Sequence, residues 1–232
     1  MSKITPISTK IYKPEILTCP KCGGGLKYVY TVSNKVIQFT SGKHIRVKNL
    51  GYSCPCCNDK NVYTSLTAGK LSFKGYTYSA KVICMIDYYK RKHVGREGIC
   101  DLLANKDIEI SDRNIDIIHK KFLSFYNLDS EAIYEQYKEM QNKYGEIRLS
   151  LDFITIANSR YVIMYNGFNG DLIALFIFPE YSEEKVKEEL GKYINPTIKI
   201  SKIITVRPFS KFMPIVKSLV DKTTEIISYI KF

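Results

Sequence analysis

Apolar positions along this chain follow a strand rhythm, then a helical one, then a strand rhythm again. Short runs at Tyr28–Thr31, Val36–Thr40 and Ile45–Val47 predict strands, preceded by an extended segment over residues 1–15. A turn-rich junction, Thr67–Gly75, leads into helical spacing. Val82, Ile83, Ile86 and Tyr89 line one face of a helix predicted over Tyr78–Lys92, with Lys90, Arg91 and Lys92 in its last turn, where cations suit the dipole. A second helix is predicted over Arg96–Asn105, with Ile99, Leu102 and Leu103 inward. After a short polar turn, Ser111 caps a third helix that runs to about Phe125, with Ile115, Ile118 and Phe122 buried. Asp129 or Ser130 caps a fourth, Glu131–Lys143, which ends near Gly145 and reads as a linker.

The strand rhythm then returns at Arg148–Thr155, Tyr161–Phe168 and Leu172–Phe178, with Asn169-Gly170 as a hairpin turn signal. An amphipathic helix, Ser182–Ile194, a strand, Ile198–Val206, a helix, Phe209–Val220, and a strand, Glu225–Phe232, complete the chain. Three short helices with a tight turn before the last predict a helix-turn-helix. The order β-β-β-α-β-α-β predicts an RNase H-like mixed sheet with helices on its faces. The fold class expected is therefore α+β and multidomain: a cysteine-bearing module over 1–75, a helix-turn-helix over 76–127, a linker helix over 128–145 and an RNase H-like domain over 146–232.

Charge sharpens this division. The chain has 232 residues and a net charge of +12. Residues 1–75 carry 12 Lys and Arg against 2 Asp and Glu, whereas residues 126–232 carry 14 of each. A basic excess confined to one module is the footprint of a polyanion partner. Lys43, Arg46 and Lys48 are candidate phosphate contacts. In a helix-turn-helix the third helix enters the major groove. Its outward residues would be Arg113, Asn114, Asp116, Ile117 and Lys120. Arg113 and Asn114 suit guanine and adenine edges, Lys120 a phosphate, and His119 reads as a helix-surface residue. Double-stranded DNA is the expected partner. No apolar stretch reaches the length of a membrane span and the N-terminus lacks a hydrophobic signal core. The expected setting is cytoplasmic or nucleoid-associated, without membrane.

Cysteines add the most specific chemistry. Cys19 and Cys22 lie in T-C-P-K-C-G-G-G, and Cys54 and Cys57 in S-C-P-C-C-N. Each C-x-x-C pair bites a tetrahedral metal from a tight turn, and two pairs close a Cys₄ site for structural zinc. The 31 residues between the pairs fit a zinc ribbon, with hairpins clamped at one end. Cys56 is an alternative to Cys57, since C-x-C also reaches a metal. Cys84 and Cys100, in apolar helical runs, read as buried thiols.

Zinc ribbon, helix-turn-helix and RNase H-like core, in that order, resemble the transposases of prokaryotic insertion sequences. The passage Y-S-C-P-C-C-N-D-K-N-V-Y-T-S-L-T-A-G-K is similar to theirs in running from the second knuckle through a short strand and a Thr/Gly turn toward the helices. The resemblance implies three carboxylates holding two divalent metals for phosphodiester chemistry. Asp152, in R-L-S-L-D-F-I-T-I, matches the first. The second position falls at Val206 or Arg207, and the third has only Glu225 near it, before the last strand. One acid cannot hold two metals, so Asp152 reads as vestigial. The expectation is a transposase-derived DNA-binding protein without nuclease activity. Its last domain would be a scaffold for a homo-oligomer or a protein partner, through edges at Tyr161–Tyr165 and Ile226–Phe232. The alternatives are an active or split transposase, and a zinc-ribbon adaptor on a nucleic-acid machine.

Overall fold

A long hairpin organises the N-terminal part of the computed structural model. The structure describes residues 7–57, 60–126, 129–194, 197–206 and 212–229. The chain divides into two units, Met1–Phe122 and Leu123–Phe232. The described residues hold two sheets and seven helices, a mixed α/β architecture.

In the first unit, β2 (Lys27–Gln38) runs antiparallel to β3 (His44–Ser53), in register from Lys27 opposite Ser53 to Gln38 opposite His44. The two runs expected as separate strands, Tyr28–Thr31 and Val36–Thr40, are thus largely one strand. The polar stretch Ser33–Lys35 does not break it, because β3 supplies a continuous ladder, and the mismatch is absorbed by register shifts at Tyr28/Tyr30 and Thr31/Ser33. β1 (Ser8–Tyr12) pairs parallel with β3 on the other side, giving the order β1-β3-β2. β3 alternates: Ile45 and Val47 are buried, while Arg46 and Lys48 lie half-buried on the opposite face.

The buried face packs Ile37, Ile45 and Val47 against Ala68 of α1 (Leu66–Lys70). This helix overlaps the Thr67–Gly75 stretch expected to be turn-rich. Its start is held from far away. The Glu15 carboxylate accepts from Ser65 Oγ (2.7 Å), Leu66 N (2.9 Å) and Thr67 N (2.9 Å), while Ser65 Oγ accepts from Ala68 N (3.2 Å). Ser65 is a local N-cap signal, but the share of the cap that Glu15 supplies leaves none, because it comes from some fifty residues away.

Helices α2 (Ala80–Arg91), α3 (Arg96–Ala104) and α4 (Asp112–Tyr126) follow, close to their expected bounds. Val82, Ile83, Ile86, Ile99, Leu103, Ile115 and Phe122 are buried. Leu102, expected inward, is exposed, because the Ile99–Leu103 pair at i,i+4 defines the stripe and Leu102 falls beside it. Sheet and helices are fastened at the hairpin tip. Gln38 N donates to Thr77 O (2.9 Å), Ser79 N to Gln38 O (2.9 Å) and Gln38 Nε2 to Asp107 O (3.1 Å). Gly42, with φ of 69°, lies so close to the turn after α3 that an added Cβ would stand 2.5 Å from Asp107 Cβ.

In the second unit, α5 (Ser130–Tyr144) leads into a five-stranded sheet of order β6-β5-β4-β7-β8. The strands are β4 (Ile147–Ile156), β5 (Ser159–Asn166), β6 (Leu172–Phe178), β7 (Ile200–Val206) and β8 (Glu225–Tyr229). β4, β5 and β6 are antiparallel neighbours, whereas β7 and β8 run parallel to β4. The helices α6 (Glu183–Gly191) and α7 (Phe212–Leu219) make the connections that parallel pairing demands.

Far from being a free linker, α5 buries Ile133, Tyr137 and Met140, and Tyr137 Oη donates to Met164 Sδ (3.5 Å) and Tyr193 O (3.2 Å). Tyr161–Tyr165, expected at an edge, lies inside the sheet, bonded to β4 and β6 and fully buried. Its five consecutive large residues are covered on both faces, a pattern that sequence alone does not separate from an edge. The outer edges are β6 and β8. The expected helix start at Phe209 and the strand end at Ile230–Phe232 lie outside the described residues.

Gly42→Val should destabilise the first unit by about 1–3 kcal/mol, through left-handed strain and the Asp107 clash. Gly25→Ala, with open space around it, should stay within about 0.5 kcal/mol. Urea unfolding of both variants, with metal bound, checks the difference.

Candidate metal centre and basic surfaces

The hairpin register brings the two knuckles together. Lys27 opens β2 just after the first knuckle, Ser53 closes β3 immediately before Cys54, and the two residues face each other. The first knuckle folds back through Cys19 N donating to Gly24 O (2.7 Å), Gly23 N to Cys19 O (2.9 Å) and Leu26 N to Leu17 O (2.8 Å). The sulfurs of Cys19, Cys22, Cys54 and Cys57 all lie within 4.8 Å of one another. Cys19 Sγ is 3.7 Å from Cys57 Sγ, and Cys22 Sγ is 3.5 Å from Cys54 Sγ. A tetrahedral site with metal–sulfur bonds of about 2.3 Å has sulfur–sulfur edges of about 3.8 Å. The four thiols fit such an ion with little movement.

Cys57 rather than Cys56 completes the set. Cys56 is exposed and takes another part: its backbone N donates to Cys54 Sγ (3.4 Å). Its sulfur also fills the space over Gly24, where a Cβ would stand 2.9 Å from Cys56 Sγ. Burial raises the Cys54 thiol, but the amides of Cys56 and Cys57 and the neighbouring thiols outweigh it and bring its pKa down to about 6. Cys22 moves the other way. The Gly24 amide lowers it, yet the contacts with Cys54 and Cys19, together with desolvation, leave it raised. The site thus begins with one acidic thiol and one reluctant one, and a metal must displace the proton of the latter.

The expected polyanion contacts are all at the surface. Arg113, Asn114, Asp116, Ile117 and Lys120 are exposed on α4. Asp116, the acid among them, is neutralised by Lys90 Nζ (2.6 Å) and Arg96 NH1 (3.2 Å), and the Lys90 hydrogen bond leads in holding its carboxyl below the usual range. Lys43 is exposed in the hairpin turn, with Arg46 and Lys48 on the sheet face opposite α1. His119 is more than a surface residue. Its Nε2 lies 3.2 Å from Oδ1 of Asp87, which is fully buried and also accepts from Arg91 Nε (2.8 Å). Asp87 thereby ties α4 to α2. The one signal for it was an acid interrupting the apolar run V-I-C-M-I-D. Cys84 is buried as expected, whereas Cys100 is only half-buried.

In the second unit, Asp152 is half-buried mid-way along β4, opposite Ile163 of β5. Leu151 pairs with Thr205, so the next residue of β7, alongside Asp152, is Val206. Arg207 lies outside the described residues. Glu225 opens β8 and pairs with Lys202 Nζ at 2.7 Å. Among the described residues, no group of three His, Cys, Asp or Glu ligands gathers around Asp152.

No protein-family model and no curated protein matches this chain. Among the described residues, no helix is long and apolar enough to cross a membrane.

The metal-loaded protein should release one metal ion per chain on acidification, at a pH below the value of about 6 that the free Cys54 thiol has, because the bound ion holds the thiolates against protons. Cys19→Ser with Cys22→Ser should abolish that release and unfold the sheet end of the first unit. A chromogenic chelator titration with circular dichroism reads both. A chain that stays folded and metal-loaded after the double change defeats the metal assignment.

Proposed function

We propose that this is a transposase-derived DNA-binding protein that has lost nuclease activity. Zinc is the ion of the Cys₄ site, since four thiolates in a closed tetrahedron are its usual structural environment. The first unit binds duplex DNA. α4 lies in the major groove with Arg113 and Asn114 toward base edges, and Lys120, Lys43, Arg46 and Lys48 neutralise phosphates. The observation that carries this reading is the exposed face of α4, where Asp116, the acid beside Arg113, Asn114, Ile117 and Lys120, is paired with Lys90 and Arg96, and Asp112 stands at the start of the helix. The fastening of that helix through Asp87 and His119 supports it further, because a base-reading helix must be held rigidly.

The second unit acts as a scaffold with an RNase H-like ancestry. The order β-β-β-α-β-α-β in a mixed sheet supports that descent. The loss of chemistry is supported by Val206 alongside Asp152 and by Glu225 held by Lys202. A two-metal phosphodiesterase needs several carboxylates around its metals. The open edge of β8 offers backbone donors and acceptors to a second copy.

Arg113→Ala with Asn114→Ala should relax sequence preference by about 1–3 kcal/mol per lost base contact, while weakening non-specific binding far less. Binding to a randomised duplex pool, followed by sequencing, reads this, and an equal loss on every sequence would falsify base reading by α4. The same preparation, given Mg²⁺ or Mn²⁺ and supercoiled DNA, should leave the DNA intact.

Sedimentation of the wild type should reveal an oligomer that Ile227→Pro returns to monomer, since proline removes an edge donor. A monomeric wild type at all concentrations rules out pairing through β8.

A further inference from the structure

Most of the large apolar side chains exposed among the described residues lie in the first 32 positions, within the same module that carries the basic excess. They include Ile11 (60 % exposed) and Tyr28 (54 %). The sheet register shows what these two share. Tyr28 stands opposite Tyr52, and Ile11 opposite Lys48. Tyr52, Lys48 and Arg46 alternate along β3 on the face away from α1, so all five lie on one face, with Tyr28 and Ile11 exposed, Arg46 and Lys48 half-buried and Tyr52 buried beneath Tyr28. Arg46 and Lys48 stand about 6.7 Å apart along the strand, with an aromatic pair at one end.

That combination is more than duplex phosphate needs. A duplex backbone meets Arg46 and Lys48 but keeps its bases stacked inside, with no use for a tyrosine ring on the flat face beside them. A protein partner fits poorly as well, because the face offers it positive charge with almost no acidic counterpart. Glu15 is the one acid among the described residues of the sheet module, and its carboxylate is spent on the start of α1. An unpaired nucleic-acid strand uses both features, since its phosphates track the cations while an unstacked base lies on an aromatic ring.

Tyr28 is also prepared for this role. Its ring meets Tyr52 edge to face, with centroids 6.0 Å apart and an interplanar angle of 71°, and its Oη lies 3.4 Å from Thr31 Oγ1. Tyr52 itself is buried. The platform is thus held from below with its remaining surface in solvent, so little freedom is lost when a base lands on it.

We infer that the open face of the β1-β3-β2 sheet binds single-stranded nucleic acid, with Tyr28 stacking on a base and Arg46 and Lys48 on its phosphates. This rests on the reading of the first unit as a nucleic-acid binder and specifies which form the sheet takes. α4 addresses the duplex, and the sheet addresses an unpaired strand.

The test is fluorescence anisotropy of the full, metal-loaded chain with a labelled oligothymidylate and, separately, a blunt duplex of equal length. The oligothymidylate should bind. Tyr28→Ala should weaken it about 5- to 100-fold, whereas Tyr28→Phe, which keeps the ring, should stay within about twofold of wild type. Lys48→Ala should flatten the salt dependence by somewhat less than one unit of slope. Duplex affinity should change little on Tyr28→Ala. Duplex binding without oligothymidylate binding overturns this inference and leaves the duplex reading standing. Oligothymidylate binding without duplex binding does the reverse. Binding of neither defeats both. Oligothymidylate binding indifferent to Tyr28→Ala, in a variant that keeps its metal, overturns the stacking face.

Discussion

The pairing of β2 with β3 is the constraint on which the rest of the first unit depends. Because Lys27 faces Ser53 and Gln38 faces His44, the ends of one hairpin do two separate jobs roughly 30 Å apart. At one end the register delivers the two knuckles to each other, and four sulfurs close to within bonding reach of a single ion. At the other, Gln38 and Gly42 seat the tip on the turn after α3. A slip of one residue would part the thiols and turn Ile45 and Val47 outward together. Metal and hydrophobic face therefore specify the same register, which is the kind of agreement between levels that yields one structure.

Three acids of this unit are as informative as its cations. Glu15 is consumed by the backbone amides of α1, Asp87 by Arg91 and His119, and Asp116 by Lys90 and Arg96. Each is placed where it orders a helix rather than where it meets a ligand. Glu97, Asp101, Asp107, Glu109 and Asp112 stay exposed among the helices, so the positive excess of this unit lies with its sheet module, where lysines and arginines far outnumber acids. Of these pairs the buried one carries the most structural consequence, because stripping one partner from a buried charge costs far more than losing an exposed pair.

The second unit follows a different rule. Its central strand β5 is covered on both faces, so Tyr161–Tyr165 reads as a continuous apolar run, and the parallel strands β7 and β8 each require a helix to reach them. Asp152 sits in this setting beside Val206 and Ile163.

The sequence by itself determined most of the elements and all of the candidate metal ligands but one. Helical spacing at Val82, Ile83 and Ile86, a cap at Asp129 or Ser130 that the fold resolves to Asp129, and the doubled C-x-x-C are local patterns, and local patterns largely suffice for them. Tertiary structure decided what depends on partners distant in the chain. Glu15 holds the start of α1 in a stretch that reads as turn-rich, β3 made one strand of two runs, and burial moved Tyr161–Tyr165 from the edge to the centre. Only the fold chose Cys57 over Cys56 and drew His119 into the pair with Asp87. Only the fold set Tyr28 on the same face as Arg46 and Lys48. The physical reason is common to all of these: capping, register and burial are set by groups tens of residues away, and no window along the chain contains both partners.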